Sequence, residues 1–254
     1  MRQNPIKTIV FDLVGVLFTV DKLKALRKIG LINIVLYYLK HRKDPIDDTL
    51  ALLNKMRLEV PGEFQDIVTY KGTQLPACML EWQRGTITCK EALGRVLAFY
   101  EILDSQSYFV NKRQKKTLIS LSYIMLDSAV GGEIFKLVSS AEYMIKKLKK
   151  NSNYKLYILS NIDQETYEEI YPKHKSFFDL FDGIVTSYQT HLLKPGPEIF
   201  DYLINNYKLN PENCCYIDDQ RENLATAQTF GMMTLLCVKA KKLGSLLQKC
   251  GLMS

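Results

Sequence analysis

The chain has 254 residues, of which 47% are hydrophobic and 24% charged, a mix that supports a sizeable buried core and excludes a disordered linker or a collagen-like fibre. Thirty-four Lys and Arg against 27 Asp and Glu leave a net charge of +7. The basic residues lie in runs at 22–28, 40–43, 112–116, 146–150 and 239–242. They read as solvated helix faces, and without an aromatic-basic motif beside them nucleic acid is not an expected partner.

In chain order, the first element is a β-rich run, Ile6 to Val14, that contains Asp12 and stops at Gly15. A short apolar run bounded by glycine predicts a buried strand. Residues 19–130 then lack strand alternation and are mostly helical in pattern. Within them Leu31 to Leu39 is strongly apolar and flanked by Lys24, Arg27, Lys28, Lys40, Arg42 and Lys43. Nine residues are too few to span a bilayer. A buried helix of an inserted domain is the expectation, with a basic, apolar helix lying on a membrane surface as the alternative. Pro61-Gly62 and Leu75-Pro76 predict turns in this region.

After residue 130 strands and helices alternate. Short runs rich in branched and aromatic residues predict strands at Tyr154–Leu159, Gly183–Ser187, Cys214–Ile217 and Met233–Val238. Helical periodicity marks Val138–Lys150, Pro197–Tyr207 and Arg221–Phe230, the last stopped by Gly231. Such alternation predicts an α/β fold, a Rossmann-like parallel sheet with an inserted helical domain. The division expected is a core of residues 1–18 and 131–254 and an insertion of 19–130.

Polar residues sit at the carboxyl ends of the predicted strands, where open parallel sheets bind ligands. They are Asp12 on the first strand, Ser160 and Asn161 on the second, Lys194 after the third, and Asp218 and Asp219 on the fourth. Three converging carboxylates repel one another. A hard divalent cation with oxygen ligands resolves that repulsion, and Mg²⁺ is the expected cofactor. Lys194 balances Asp12 and a phosphate oxygen, and the Ser160 hydroxyl holds another. A lone strand-end Asp is more often a turn or a helix cap, but that reading does not explain four such groups in this order.

The six cysteines, Cys78, Cys89, Cys214, Cys215, Cys237 and Cys250, show no C-x-x-C spacing. They read as reduced thiols in a cytoplasmic protein. No signal peptide is visible, and membrane association is not expected.

With these residues in place, the chain resembles the haloacid dehalogenase (HAD) superfamily of hydrolases. Phe11-Asp12-Leu13-Val14-Gly15-Val16-Leu17-Phe18 is similar to the family's first motif, and Ile158-Leu159-Ser160-Asn161 to its second. Lys194-Pro195 with Glu198-Ile199-Phe200 is similar to the third. Tyr216-Ile217-Asp218-Asp219 with Arg221, Asn223, Ala227 and Gly231-Met232 is similar to the fourth. The insertion after the first motif resembles the helical cap of the subclass that includes phosphatases and 2-haloacid dehalogenases.

The resemblance implies that Asp12 is the nucleophile, forming an aspartyl-phosphate, and that Lys194 steadies it. It further implies that Ser160 and Asn161 bind the phosphoryl group of a small phosphorylated substrate. Asp12, Asp219, the backbone carbonyl of Val14 and Asp218, as ligand or outer partner, hold Mg²⁺, and Asn223 orients the acidic pair. One departure stands out: family phosphatases carry a general acid/base Asp where this chain has Val14. Loss of such a group lowers rates by about 10²–10⁴. Three readings follow: a Mg²⁺-dependent phosphatase using a good leaving group or a cap-borne acid, a catalytically weak ligand-binding HAD protein, and a 2-haloacid dehalogenase. The Asp218-Asp219 pair argues against the last.

Overall fold

A computed structural model describes residues 5–42, 45–54, 69–70, 73–74, 77–150 and 154–253. The predicted turns at Pro61-Gly62 and Leu75-Pro76, and Lys43, lie outside them or depend on residues outside them. The strands are β1 (Thr8–Phe11), β2 (Phe18–Val20), β3 (Thr69–Tyr70), β4 (Thr73–Gln74), β5 (Phe135–Leu137), β6 (Lys155–Ser160), β7 (Gly183–Thr186), β8 (Cys214–Asp218) and β9 (Met233–Leu236). Five of them form one sheet in the order β7-β6-β1-β8-β9, with every pairing parallel. This is the α/β fold the sequence predicts.

All four residues of β1 are buried, as a central parallel strand covered on both faces requires. Alternate side chains point to opposite faces. Ile9 and Phe11 join Leu156, Ile158, Cys215 and Ile217 in one core. Val10 joins Tyr157, Leu159, Cys214 and Tyr216 in the other. Each large side chain so buried contributes about 1.5–3 kcal/mol. The neighbours Cys214 and Cys215 thus serve opposite cores, and all six cysteines are free thiols.

The chain leaves the sheet after β1 and comes back to it at β6. Its way out runs through β2 and its way back through β5, which pair antiparallel as a short ribbon, Phe18 opposite Leu137 and Val20 opposite Phe135. Between them lie α1 (Lys22–Ile29), α2 (Leu31–His41), α3 (Pro45–Asn54), α4 (Ala77–Gln83), α5 (Cys89–Ser105), α6 (Lys112–Leu126) and α7 (Ser128–Ile134). This helical insertion has its own apolar core, including Leu53, Cys78, Trp82, Val96, Tyr100 and Leu118. Its starts are written in the sequence. Thr88 and Glu91 form a reciprocal capping box at α5, a device that satisfies two backbone donors at a helix N-terminus. The Asp21 carboxylate accepts from the Leu23 and Lys24 amides at 3.1 and 3.2 Å to open α1.

The expected burial of the 31–39 segment does not hold. In α2 only Tyr37 is buried, whereas Leu31, Ile32, Val35, Tyr38 and Leu39 are exposed. An apolar run reports that a face avoids water, not that the fold supplies a cover for it.

The core helices are α8 (Ser139–Lys150), α9 (Gln164–Ile170), α10 (Lys175–Phe178), α11 (Ser187–Thr190), α12 (Pro197–Tyr207), α13 (Arg221–Thr229) and α14 (Leu243–Lys249). The helix α8 buries Ala141, Ile145 and Leu148 and turns its lysines outward, as its periodicity predicts. The strand β1 is shorter than the predicted run of residues 6–14. Its ladder ends at Phe11, and Gly15, with φ +109°, turns the chain back into the ribbon.

Candidate active site

The site lies at the carboxyl ends of β1, β6 and β8, on either side of the central strand. The chain first adds β6 and β7 on one flank of β1 and then crosses to β8 and β9 on the other, so a topological switch point opens beside β1. A cavity of about 310 Å³ there is lined by Asp12, Val14, Gly15, Thr19, Val20, Lys22, Gln83, Asn161, Lys194, Asp219 and Gln220.

Lys194 is the hub. It is 2% exposed, and its Nζ donates to Asp12 Oδ1 at 2.7 Å, to the Leu159 carbonyl at 2.9 Å and to Asp218 Oδ2 at 2.9 Å. The Tyr216 hydroxyl lies 3.0 Å away. A buried ammonium requires such partners. Burial alone pulls its pKa down, but Asp12 and Asp218 outweigh burial and the net shift is upward. The loop carrying Lys194 is fixed by Asn161, whose Oδ1 accepts from the Lys194 amide and whose Nδ2 donates to the Lys194 carbonyl, both at 2.8 Å.

Asp218 is fully buried. Its Oδ2 accepts from Lys194, from the Tyr216 hydroxyl and from Asn223 Nδ2 at 3.0 Å, while Oδ1 accepts from the Gln220 amide at 2.8 Å. Burial pushes its carboxyl up, but Lys194 and Tyr216 reverse this and hold it below the ordinary value. Asp12 behaves oppositely. Burial first, then the charges of Asp218 and Asp219, raise it to about 7 against the pull of Lys194. One carboxylate is therefore saturated with donors, whereas the other carries negative charge that its surroundings do not fully balance.

That imbalance suits a cation. Oxygens of Asp12, Asp218 and Asp219 lie within 4.8 Å of one another, and hard oxygen donors of this kind match Mg²⁺. The Asp219 carboxylate rests on the Gly15 backbone so closely that a Cβ there would sit 2.7 Å from Asp219 Cγ. Gly15 is thus required both for its positive φ and for this approach. On the other side of Asp12, Ser160 Oγ is buried and has no hydrogen-bond partner. A buried hydroxyl without a partner loses about 1–3 kcal/mol, so a ligand oxygen is its natural acceptor or donor.

The structure therefore brings Asp12, Ser160, Asn161, Lys194, Asp218, Asp219 and Asn223 to one end of the sheet. Val14 also lines the cavity and packs against the core that holds Ile9 and Phe11. Tyr216 was missed from the sequence, although a residue two before Asp218 in a strand shares its face. Gln83 and Lys22, which reach the cavity from the insertion, were missed as well. Gln83 ends α4, and its neighbourhood is clamped to the core. The Ser187 hydroxyl donates to the Gln83 carbonyl at 2.5 Å, and Arg84 Nε donates to the His191 carbonyl at 2.6 Å. The side-chain Oε1 of Gln83 is buried without a hydrogen-bond partner. No sequence pattern announces so distant a meeting. Tyr37, Tyr38, His41, Trp82 and Arg84 of the insertion do not line the cavity.

Comparison with known proteins decides the family. The model of the haloacid dehalogenase-like hydrolases matches residues 6–231. The chain belongs to that family. Among curated relatives it is similar to a D-ribitol-5-phosphate phosphatase of Bacteroides thetaiotaomicron, at 30% identity over 87 residues covering 32% of this chain and 42% of that protein. It is also similar to a sesquiterpene phosphatase of Aspergillus oryzae, at 28% identity over 86 residues covering 34% and 43%. The match to mouse bifunctional epoxide hydrolase 2, 36% identical over 56 residues, covers 22% of this chain and only 10% of that protein. The matched stretches thus span less than half the length of these relatives.

Among solved structures, a HAD family enzyme of Bacteroides thetaiotaomicron in complex with magnesium and inorganic phosphate has a TM-score of 0.54. Its identity is 20%, with 91% of this chain and 93% of that one covered. A predicted HAD-like hydrolase of Porphyromonas gingivalis gives 0.56 at 19% identity, covering 97% and 98%. At these identities the likeness establishes the fold. The protein is thus a HAD-like hydrolase with a helical insertion after its first motif.

Proposed function

We propose that this hydrolase is a Mg²⁺-dependent phosphomonoesterase acting on a small phosphorylated substrate through an aspartyl-phosphate on Asp12. The observation that carries the reading is the Asp12 carboxylate held 2.7 Å from Lys194 Nζ, beside Asp218 and Asp219 at metal-binding separation and the unpartnered Ser160 hydroxyl. In this reading residues 19–130 act as a cap over a core of residues 1–18 and 131–254, contributing Lys22 and Gln83 to the cavity.

Asp12 attacks phosphorus and the bond from phosphorus to the leaving oxygen breaks, the leaving group departing as an anion that takes any proton from solvent. Water then attacks the same phosphorus, releasing phosphate and restoring the carboxylate. Lys194 orients the attacking oxygen and offsets the charge that builds on the phosphoryl group. Ser160 and Asn161 bind its oxygens. Asp12, Asp219 and the Val14 carbonyl hold the metal. Asp218, with its oxygens already taken by Lys194, Tyr216, Asn223 and Gln220, acts as the outer partner, and Asn223 fixes its orientation. Mg²⁺, when bound, neutralises charge and aligns the phosphoryl group.

Val14 shapes the substrate class. It moves no proton, and among the described residues the insertion brings no Asp, Glu or His to the cavity. Without a carboxyl or imidazole acid beside the leaving group, the reading favours acyl phosphates, anhydrides and sugar-1-phosphates, whose leaving groups depart readily, over simple alkyl phosphates. The test is phosphate release across a panel ordered by leaving-group pKa, with and without Mg²⁺. The blank is Asp12→Asn. Turnover that needs Mg²⁺ and Asp12 and falls steeply as leaving-group pKa rises supports the reading. Activity unchanged in Asp12→Asn refutes it.

Val14 also motivates a second reading, a catalytically weak protein that binds a phosphorylated ligand. It predicts Mg²⁺ and ligand binding without turnover in the natural chain, and a gain of about 10²-fold or more in Val14→Asp.

A further inference from the structure

We propose that the α1–α2 hairpin is a docking surface for an anionic lipid bilayer. The first observation is the outward face of α2. In helical projection Tyr38, Leu31, Val35, Leu39 and Ile32 fall side by side over roughly a third of the circumference. All five are exposed, Ile32 at 73% and Leu31 at 58%. The opposite side carries Tyr37, which packs into the core of the insertion. The helix is therefore held by one residue stripe while its apolar stripe faces water. Exposed apolar residues scattered singly need no explanation, but a continuous helix face does.

The second observation is charge, and it selects the occupant. From residue 22 to 43 the chain has seven basic residues, Lys22, Lys24, Arg27, Lys28, Lys40, Arg42 and Lys43, and no acidic one. Removing those seven from the 34 Lys and Arg leaves 27, equal to the 27 Asp and Glu of the whole chain. The entire excess positive charge of the protein thus falls in the sequence segment 22–43. Glu133 neutralises Lys28 at 2.8 Å, and its carbonyl receives Lys24 Nζ at 3.3 Å. Lys22, Arg27, Lys40 and Arg42 stay exposed in the same segment. An exposed apolar helix face in a segment whose charges are all positive matches the boundary between acyl chains and anionic headgroups. A protein-binding stripe has no need of such one-signed charge.

The third observation is continuity with the site. Gly30, with φ +85°, joins α1 to α2, and Leu23 near the start of α1 is also exposed. The residues just before it, Val20 and Lys22, line the active-site cavity. The docking face therefore begins at the edge of the cavity, although docking itself is independent of the reaction performed there.

The test is co-sedimentation of the full chain with vesicles of phosphatidylcholine alone and of phosphatidylcholine with phosphatidylserine. The expected result is binding to the anionic vesicles, weakened by salt, with little on the neutral ones. Ile32→Asp/Leu39→Asp changes two exposed side chains and should leave circular dichroism and the melting curve unchanged while lowering partitioning by about tenfold or more. Arg27→Gln and Lys40→Gln should each lower it about fivefold. Absence of binding to anionic vesicles overturns the proposal. So does self-association without lipid that the double substitution abolishes, since it assigns the stripe to a second protein copy.

Discussion

Replacing Lys194 with Met removes the ammonium while keeping a side chain of similar length, so the main effect is electrostatic rather than a cavity. Lys194 Nζ stands 2.7 Å from Asp12 and 2.9 Å from Asp218, with all three groups buried. At an effective dielectric constant near 20, each contact is worth of order 6 kcal/mol before desolvation. After the desolvation of all three groups, removing one partner of a buried pair costs about 3–5 kcal/mol. For a chain of this size that lowers the melting temperature by about 10 °C.

Asp12, already raised to about 7, moves further up without Lys194. The unfolded chains titrate alike, so Asp12's share of the deficit should be greatest above neutral pH and disappear as pH falls through about 7, where Asp12 becomes protonated in both folded proteins, while Asp218's share persists until that carboxyl is protonated. Mg²⁺ should restore part of the loss, because the three acids gain a substitute countercharge. Urea unfolding of wild type and variant at several pH values, with and without Mg²⁺, measures all three effects. A variant within about 0.5 kcal/mol of wild type at neutral pH, or a deficit that grows on acidification, would refute the assignment of Lys194 as the charge that holds the two carboxylates.

Mg²⁺ competes with the proton on Asp12, so its affinity should rise about tenfold per pH unit below about 7 and flatten above it; calorimetric titration in buffers of different ionisation enthalpy reads the released proton, and an affinity constant across this range contradicts the account. Gly15→Ala should weaken Mg²⁺ binding and destabilise the fold by about 1–3 kcal/mol, since its Cβ would displace Asp219 from the position in which its carboxylate lies 2.7 Å away; normal Mg²⁺ binding in this variant would show that Asp219's placement is not needed. Asp163 caps α9 through the Thr166 amide at 2.8 Å, yet burial raises it to about 6. A carboxyl raised in the folded state subtracts stability as pH climbs from about 4 to about 6, by up to 2–3 kcal/mol. Asp163→Asn keeps the cap without the charge and should stabilise at pH 7 but not at pH 4; equal effects at both values by urea unfolding would contradict this.

The core was legible because its signals are local. The apolar runs at Ile9–Phe11 and Cys214–Ile217 become strands of four and five residues because short apolar stretches bury best between two helical layers. Strand-end residues such as Asp12, Ser160 and Asp218 converge simply because the strands are parallel neighbours. The insertion was less legible. Its helices follow from caps such as Thr88 with Glu91, but which faces they bury depends on partners far away in sequence. Gln83 reaches the cavity only because Ser187 and His191 hold the end of α4, contacts spanning more than a hundred residues. The α2 stripe was read as core for the same reason. Composition marks Leu31 and Ile32 as apolar, and only the fold reveals that both stay exposed among the described residues.

The central claim is tested most directly by acid-quenching the enzyme with Mg²⁺ and an acyl phosphate or sugar-1-phosphate and locating the phosphoryl group by mass spectrometry. Val14 leaves water without a general base in the second half of the reaction, so the covalent species should accumulate. The account predicts phosphate bound to Asp12, absent in chelator and in Asp12→Asn. An enzyme that releases phosphate with Asp12 unmodified at every time point would contradict it.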